Sequence, residues 1–157
     1  MHSALSSIIA GIGADDPDAF LGANELLRAH RIGLVGTGVI EPHASMYAAE
    51  SFTGSDVEAL KDCLSEYVKA GNAKNLPAAV RAFGYLQDRS LVPLLRSVLE
   101  VKLRELSAAS TSVGQLIVVL NDLGEQLFEH NFNAINIDEN ALNARRYLRE
   151  HGVDVPW

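Results

Sequence analysis

The 157-residue chain has a single cysteine, Cys63. A lone cysteine excludes an intramolecular disulfide and a thiolate-rich zinc site, and its apolar neighbours predict a small buried residue. The chain also has no long hydrophobic run: the stretch from Leu116 to Leu120 has five residues, far short of the ~20 that cross a bilayer. The N-terminus lacks the basic region that precedes a secretion signal. We therefore expect a cytoplasmic protein without membrane contact.

Basic residues are the minority among the charged ones. Lysine and arginine total 13 against 20 aspartates and glutamates, which gives a formal net charge of −7. This balance disfavours direct binding to nucleic acid or to an anionic membrane and favours the attraction of a basic partner. Acidity that serves solubility alone is the alternative explanation.

Strand-like alternation is also missing, whereas apolar residues repeat with a helical period along most of the chain. Capping and breaking residues predict helices at Ser3 to Ile12, from Asp15 or Asp16 to near Gly33, about His43 to Phe52, Ser55 to about Ala70, near Asn75 to Leu86, Ser90 to about Ala108, Val113 to about His130, and Asp138 to near Gly152. We expect one all-α domain over residues 1–157, with about seven helices stacked as antiparallel pairs.

Two of the predicted helices have a capping signal at their start, and one of them is unusually apolar. Ser55 with Glu58, and Ser112 with Gln115, have the spacing of a capping box. The predicted helix that begins at Val113 is apolar around much of its circumference, which is typical of a helix in the interior.

No catalytic, metal or cofactor signature stands out. The glycine-rich segment from Gly33 to Gly38 has neither the spacing of a phosphate-binding fingerprint nor a lysine after it, and is predicted to be a loop. The five histidines are scattered without ligand spacing. On the predicted helix, Glu125 and Glu129 share a face, whereas His130 points about 100 degrees away. No serine, cysteine or lysine has an activating neighbour. We therefore expect a protein that binds rather than catalyses.

Acidic residues form two predicted rows. Glu58, Asp62 and Glu66 recur every four residues and so project from one side of a helix. Lys61 and Lys69 relieve part of the resulting repulsion. This row could meet a basic partner, and an ordinary solvated helix face is the alternative.

The second acidic row lies on the least polar predicted helix. It consists of Asp122, Glu125 and Glu129, beside further acidic residues after the following loop. Exposed positions are scarce on such a helix, so these charges would shape its surface strongly.

Residues Ala78 to Leu99, AAVRAFGYLQDRSLVPLLRSVL, predict two short helices joined by a tight turn. Asp88 and Ser90 supply turn and N-cap chemistry, and Pro93 falls in the first turn of the second helix, where its missing N–H costs nothing. The spacing of Gly84, Asp88, Val92, Pro93 and Leu94 resembles a HEAT-like repeat.

A second stretch, LNDLGEQLFEHNFNAINIDENALNARRYLREHG from Leu120, is similar to small bacterial HEAT-like immunity proteins of contact-dependent growth inhibition and other polymorphic toxin systems. The resemblance implies a non-enzymatic, cytoplasmic inhibitor of a cognate toxin domain. Many such toxins are nucleases with a basic surface, onto which an acidic protein is steered. The predicted contacts are the two acidic rows and an aromatic anchor, Phe132.

Other aromatic residues, Tyr47, Phe52 and Trp157, are also candidates for the anchor that tight binding needs. Trp157 could instead fold back over Tyr147. Two other functions remain open: a helical adaptor for an endogenous partner, and a small helical ligand-binding or enzymatic domain. Composition and pattern predict no oligomeric state.

Overall fold

The computed structural model describes residues 3–31, 52–105, 111–127 and 137–156. Its regular elements there are helical, which confirms the predicted all-α class, and no strand occurs in these ranges. Within these ranges there are seven α-helices: α1 (Leu5–Gly13), α2 (Pro17–Arg31), α3 (Gly54–Lys69), α4 (Leu76–Leu86), α5 (Val92–Arg104), α6 (Thr111–Asp122) and α7 (Ile137–Glu150). In the same ranges, no helix is both long and apolar enough to cross a membrane.

Several predictions fall outside the described residues. They include the glycine-rich segment from Gly33 to Gly38, nearly all of the helix predicted from His43 to Phe52, and the predicted contact residues and aromatic candidates Tyr47, Glu129, Phe132 and Trp157.

The helices group into two compact units, Met1–Leu86 with α1 to α4 and Gln87–Trp157 with α5 to α7. The boundary falls inside the predicted Ala78 to Leu99 hairpin. Its turn is present, since the Asp88 carboxylate accepts a hydrogen bond from the Ser90 N–H at 2.9 Å and Pro93 lies in the first turn of α5. Of the two helices of this hairpin, α4 packs against helices of the first unit and α5 packs against helices of the second. That the whole chain forms one domain stays a prediction.

In the first unit, α2 packs against α1 and α4, and α3 packs against the same two helices. Leu26, Leu60, Leu64 and Phe83 are fully buried in its core. The α1–α2 contact is closest at Gly11, because a Cβ built there would lie 2.5 Å from Ala19 Cβ. A glycine is therefore required for these two helices to approach so closely.

In the second unit, α5, α6 and α7 pack against one another. The predicted interior position of α6 is confirmed, since Leu116, Ile117 and Leu120 are fully buried. Leu99 of α5 and Leu148 of α7 complete this part of the core.

Four predicted helix starts are corrected. Helix α3 is capped by Thr53 and Asp56, which form a reciprocal capping box two residues before the predicted Ser55–Glu58 pair. Ser112 lies inside α6 rather than capping it, and Asp138 lies in the first turn of α7. A short 3-10 turn over Arg89–Leu91 precedes α5, so the α-helix begins after Ser90.

Two predicted helix ends are also corrected. Helix α5 ends at Arg104, short of the predicted Ala108. Helix α6 ends at Asp122, eight residues before the predicted His130. Gly124 adopts φ +95°, and the N–H groups of Gly124 and Glu125 donate to the carbonyls of Asn121 and Leu120. This Schellman arrangement stops the helix although the apolar period continues.

Candidate binding surface

The first predicted acidic row is displayed at the surface of α3. Glu58, Asp62 and Glu66 are all exposed, and their four-residue spacing within one α-helix puts them on the same side. Lys61 pairs with Glu58 at 2.8 Å, and Lys69 pairs with Glu66 at 3.5 Å. Exposed pairs of this kind contribute little to stability.

The cap of α3 explains why Glu58 is available at the surface. The Asp56 carboxylate accepts a hydrogen bond from the Thr53 N–H at 3.0 Å, and the Asp56 N–H donates to Thr53 Oγ1 at 3.3 Å. Since Asp56 satisfies the helix start, the Glu58 side chain is left 61% exposed.

A second polar cluster lies where α1 and α3 end. Asp15 adopts φ +57° immediately after α1, and its Oδ1 accepts hydrogen bonds from Tyr67 Oη at 2.7 Å and Asn75 Nδ2 at 2.8 Å. The hydrogen bond from Tyr67, with that from Asn75, lowers the pKa of the Asp15 carboxyl. Burial and the same Asp15 contact raise the pKa of Tyr67 to about 12. The cluster thus holds Asp15 as an ion and Tyr67 as a neutral phenol at ordinary pH.

The structure separates the roles of the two adjacent aspartates. Asp16 caps α2, because its Oδ1 accepts the Asp18 N–H at 3.0 Å just after Pro17. Asp15 instead bonds to side chains 52 and 60 residues away. The sequence predicted a cap at one of the two, and no local signal indicated the tertiary role of the other.

The second predicted acidic row is not a row on one helix. Asp122 is the exposed last residue of α6, Glu125 lies beyond the helix end, and Glu129 lies outside the described residues. The prediction that one continuous helix aligns these three acidic residues is therefore wrong. Phe132 also lies outside the described residues, and its role as an anchor stays a prediction.

Both carboxylate oxygens of Glu125 accept hydrogen bonds from side chains of the second unit. Its Oε1 accepts hydrogen bonds from Arg96 at 2.9 Å and from Tyr147 Oη at 2.8 Å, and its Oε2 accepts one from Arg89 at 3.2 Å. The Glu125 side chain is only 13% exposed. Arg89 also donates to the Leu123 carbonyl, which ties it to the end of α6. Glu125 therefore joins parts of the second unit and offers little surface to a partner.

Burial and the hydrogen bonds of this network together shift the pKa values of Glu125 and Tyr147. Burial raises the pKa of Glu125, but the hydrogen bonds from Tyr147, Arg89 and Arg96 outweigh it, so the net pKa is lowered. Burial, with the nearby Glu125 carboxylate, raises the pKa of Tyr147 to about 12. Glu125 is thus an anion held by two arginines and a phenol.

Two further sequence predictions are corrected by burial. Phe52 is buried against the ring of His30, with ring centroids 5.3 Å apart, and is not an exposed anchor. Cys63 is half-buried rather than buried and lines a cavity beside Tyr67.

The chain has no recognisable relative in the comparisons with known proteins: no protein family, curated protein or solved structure matches it. Within the described ranges, no group of three or more His, Cys, Asp and Glu side chains is placed to hold a metal ion. The exposed acidic face of α3, defined by Glu58, Asp62 and Glu66, is the candidate binding surface.

Proposed function

We propose that this protein binds a basic protein through the acidic face of α3 and neutralises it without catalysis. The observation that carries the proposal is the exposure of Glu58, Asp62 and Glu66 on one side of one helix. The partner we infer is a toxin domain with a basic surface, in line with the resemblance of the C-terminal half to immunity proteins. A nuclease fits this chemistry, because its phosphate-binding surface is positively charged.

Electrostatics supports this role for the acidic face. Like charges four residues apart cost a few tenths of a kcal/mol per pair in an isolated helix, and a basic partner would remove that cost. Lys61 and Lys69 offset the charges at the two ends of the row, whereas no ion pair to Asp62 occurs among the described residues. A chain with net charge −7 attracts a cationic protein over a long range and accelerates its association.

Asp62→Lys is expected to weaken binding to the partner by about tenfold, because the exchange of one central charge changes the interaction by roughly 1–2 kcal/mol. If the gene next to this one encodes a large secreted protein, its C-terminal domain is the toxin domain to co-express with this chain in the binding assay. The affinity of the purified complex is then measured at two salt concentrations. The defect should be largest at low salt, since screening weakens exposed charges.

Glu150→Lys is the matched control for Asp62→Lys. Glu150 is the exposed last residue of α7, so the variant changes the net charge equally, and a lysine suits a helix C-terminus. Equal loss of affinity in both variants would assign binding to net charge rather than to the acidic face. Failure of the unaltered chain to form a complex, or to protect cells that make the toxin domain, would refute the immunity function. A partner from a housekeeping operon would instead support the adaptor function.

A further inference from the structure

A cavity of about 290 Å³ lies at the C-terminal end of the acidic face, within the first unit. Its lining includes Ile12, Asp15, Cys63, Glu66, Tyr67 and Ala70. Glu66 belongs to both the acidic face and the cavity, so the two are continuous. The cavity is at the lower limit of pockets that hold small-molecule ligands, about 300–1,000 Å³. Its size suits one long side chain better than a larger ligand.

The charged side chains that line the cavity, Asp15 and Glu66, are both acidic. Helix α1 ends at Gly13 and α3 ends at Lys69, so the negative ends of two helix dipoles meet there. Both hydrogen bonds that described residues donate to the Asp15 side chain go to Oδ1, so Oδ2 is available as an acceptor with respect to these residues. None of the described lining residues is basic.

Two lysines lie near the cavity and do not fill it. Lys74 Nζ donates a hydrogen bond to the Asp15 carbonyl oxygen at 3.5 Å, and its charge acts on the Asp15 carboxylate without a hydrogen bond to it. Lys69 pairs with Glu66 at 3.5 Å, and both side chains are well exposed. A partner that displaces Lys69 from such an exposed pair loses little free energy.

We propose that this cavity receives one arginine side chain of the basic partner. This inference rests on the proposed function, because it supplies the specific contact next to the acidic face. Ile12, Tyr67 and Ala70 offer apolar surface to the methylene stem. The guanidinium carries five N–H donors and is weakly hydrated, so it can reach Asp15 and Glu66 together. An ammonium group presents fewer donors and loses more hydration.

Alkylation of Cys63 tests the occupancy of the cavity without any toxin. Cys63 is the only cysteine of the chain, lines the cavity, and has a pKa raised by burial. The alkylation rate with iodoacetamide is measured in the presence of N-acetyl-arginine amide. We expect protection of several-fold, half-maximal on the order of 1–10 mM for one isolated side chain. N-acetyl-citrulline amide, which has the same shape without the charge, should protect far less.

Asp15→Asn is the variant that separates charge from shape. Asparagine accepts the left-handed backbone found at this position, so the fold is expected to persist. The variant should retain the circular dichroism of the unaltered chain and lose most of the protection by arginine. Full protection of Asp15→Asn, or equal protection by citrulline and arginine, would overturn the proposal.

A variant that fills the cavity tests whether the partner protein occupies it. Ala70 is exposed with φ −69°, so Ala70→Phe places a ring at the cavity mouth without backbone strain, and Ala70→Ser is its control. Ala70→Phe should weaken partner binding about tenfold, and Ala70→Ser should not. Unchanged binding by Ala70→Phe, together with a defect in Asp62→Lys, would reject the arginine site and leave the proposed function intact. Protection of Cys63 by N-acetyl-arginine amide, combined with failure of the chain to bind a toxin domain, would reject the proposed function alone.

Discussion

Glu125→Gln is expected to lower the free energy of unfolding of the second unit by about 2 kcal/mol, because charge-assisted hydrogen bonds in a nearly buried site are worth more than neutral ones. The Glu125 side chain is 13% exposed and accepts hydrogen bonds from Arg89, Arg96 and Tyr147. Glutamine keeps the shape and one oxygen acceptor. It removes the negative charge that compensates the half-buried Arg96, whose side chain is 26% exposed.

Hydrogen exchange in α5 and α7 measures this loss where it arises, since these helices carry Arg96 and Tyr147. Asp122→Asn is the matched control, because Asp122 is an exposed carboxylate at the end of α6. Loss of a negative charge at a helix C-terminus should be neutral or slightly stabilising. Equal protection in Glu125→Gln and Asp122→Asn would show that the network contributes nothing to stability.

The same network gives the second unit a defined sensitivity to acid. The pKa of Glu125 is lowered from its ordinary value of 4.5 in the folded protein. Its stabilisation is therefore fully present above pH 4.5 and is lost as the pH falls through the folded-state pKa. The stability difference between the unaltered chain and Glu125→Gln should shrink over that acid range. A constant difference across the range would mean that charge is not its source.

Gly11→Ala is expected to destabilise the first unit by about 1–3 kcal/mol, as overpacking of a close contact does. The added Cβ would lie 2.5 Å from Ala19 Cβ, so α1 and α2 would have to separate. The intrinsic helix preference of alanine over glycine, up to about 1 kcal/mol, offsets part of this cost. The unfolding midpoint in urea, with hydrogen exchange in α1 and α2, reports the change.

Gly13→Ala is the matched control on the same helix, because no atom lies within 4 Å of a Cβ built there. It should be neutral or slightly stabilising. The double variant Gly11→Ala with Ala19→Gly removes the methyl group from the other side and should recover part of the lost stability. Destabilisation that the double variant does not relieve would assign the effect to the α1 backbone rather than to the helix contact.

The acidic face of α3 could be predicted because it depends on helical spacing alone. Residues four apart share a side of any α-helix, wherever that helix packs. The packing of α3 then leaves that side, with Glu58, Asp62 and Glu66, exposed. The exact capping residue was harder to predict, since Thr53 and Asp56 compete with the later Ser55 and Glu58 for the same helix start.

Glu125 could not be placed from the sequence for two reasons. The apolar period continues beyond Asp122 through Leu127, which is fully buried although it lies outside the helix. Burial in a core does not require helical backbone, so the pattern overestimated the length of α6. The partners of Glu125 are 22 to 36 residues distant in the chain and are not recognisable by spacing.

The amino-acid sequence by itself determined the all-α class, the order of the helices and the acidic face of α3, because these follow from interactions between residues within about four positions of each other. Tertiary structure alone decided that Glu125 is enclosed by arginines and that Asp15 joins Tyr67 and Asn75 beside a cavity. Such contacts join residues tens of positions apart. The packing of the helices therefore decides whether a charged side chain is exposed to solvent or enclosed by other side chains of the same chain.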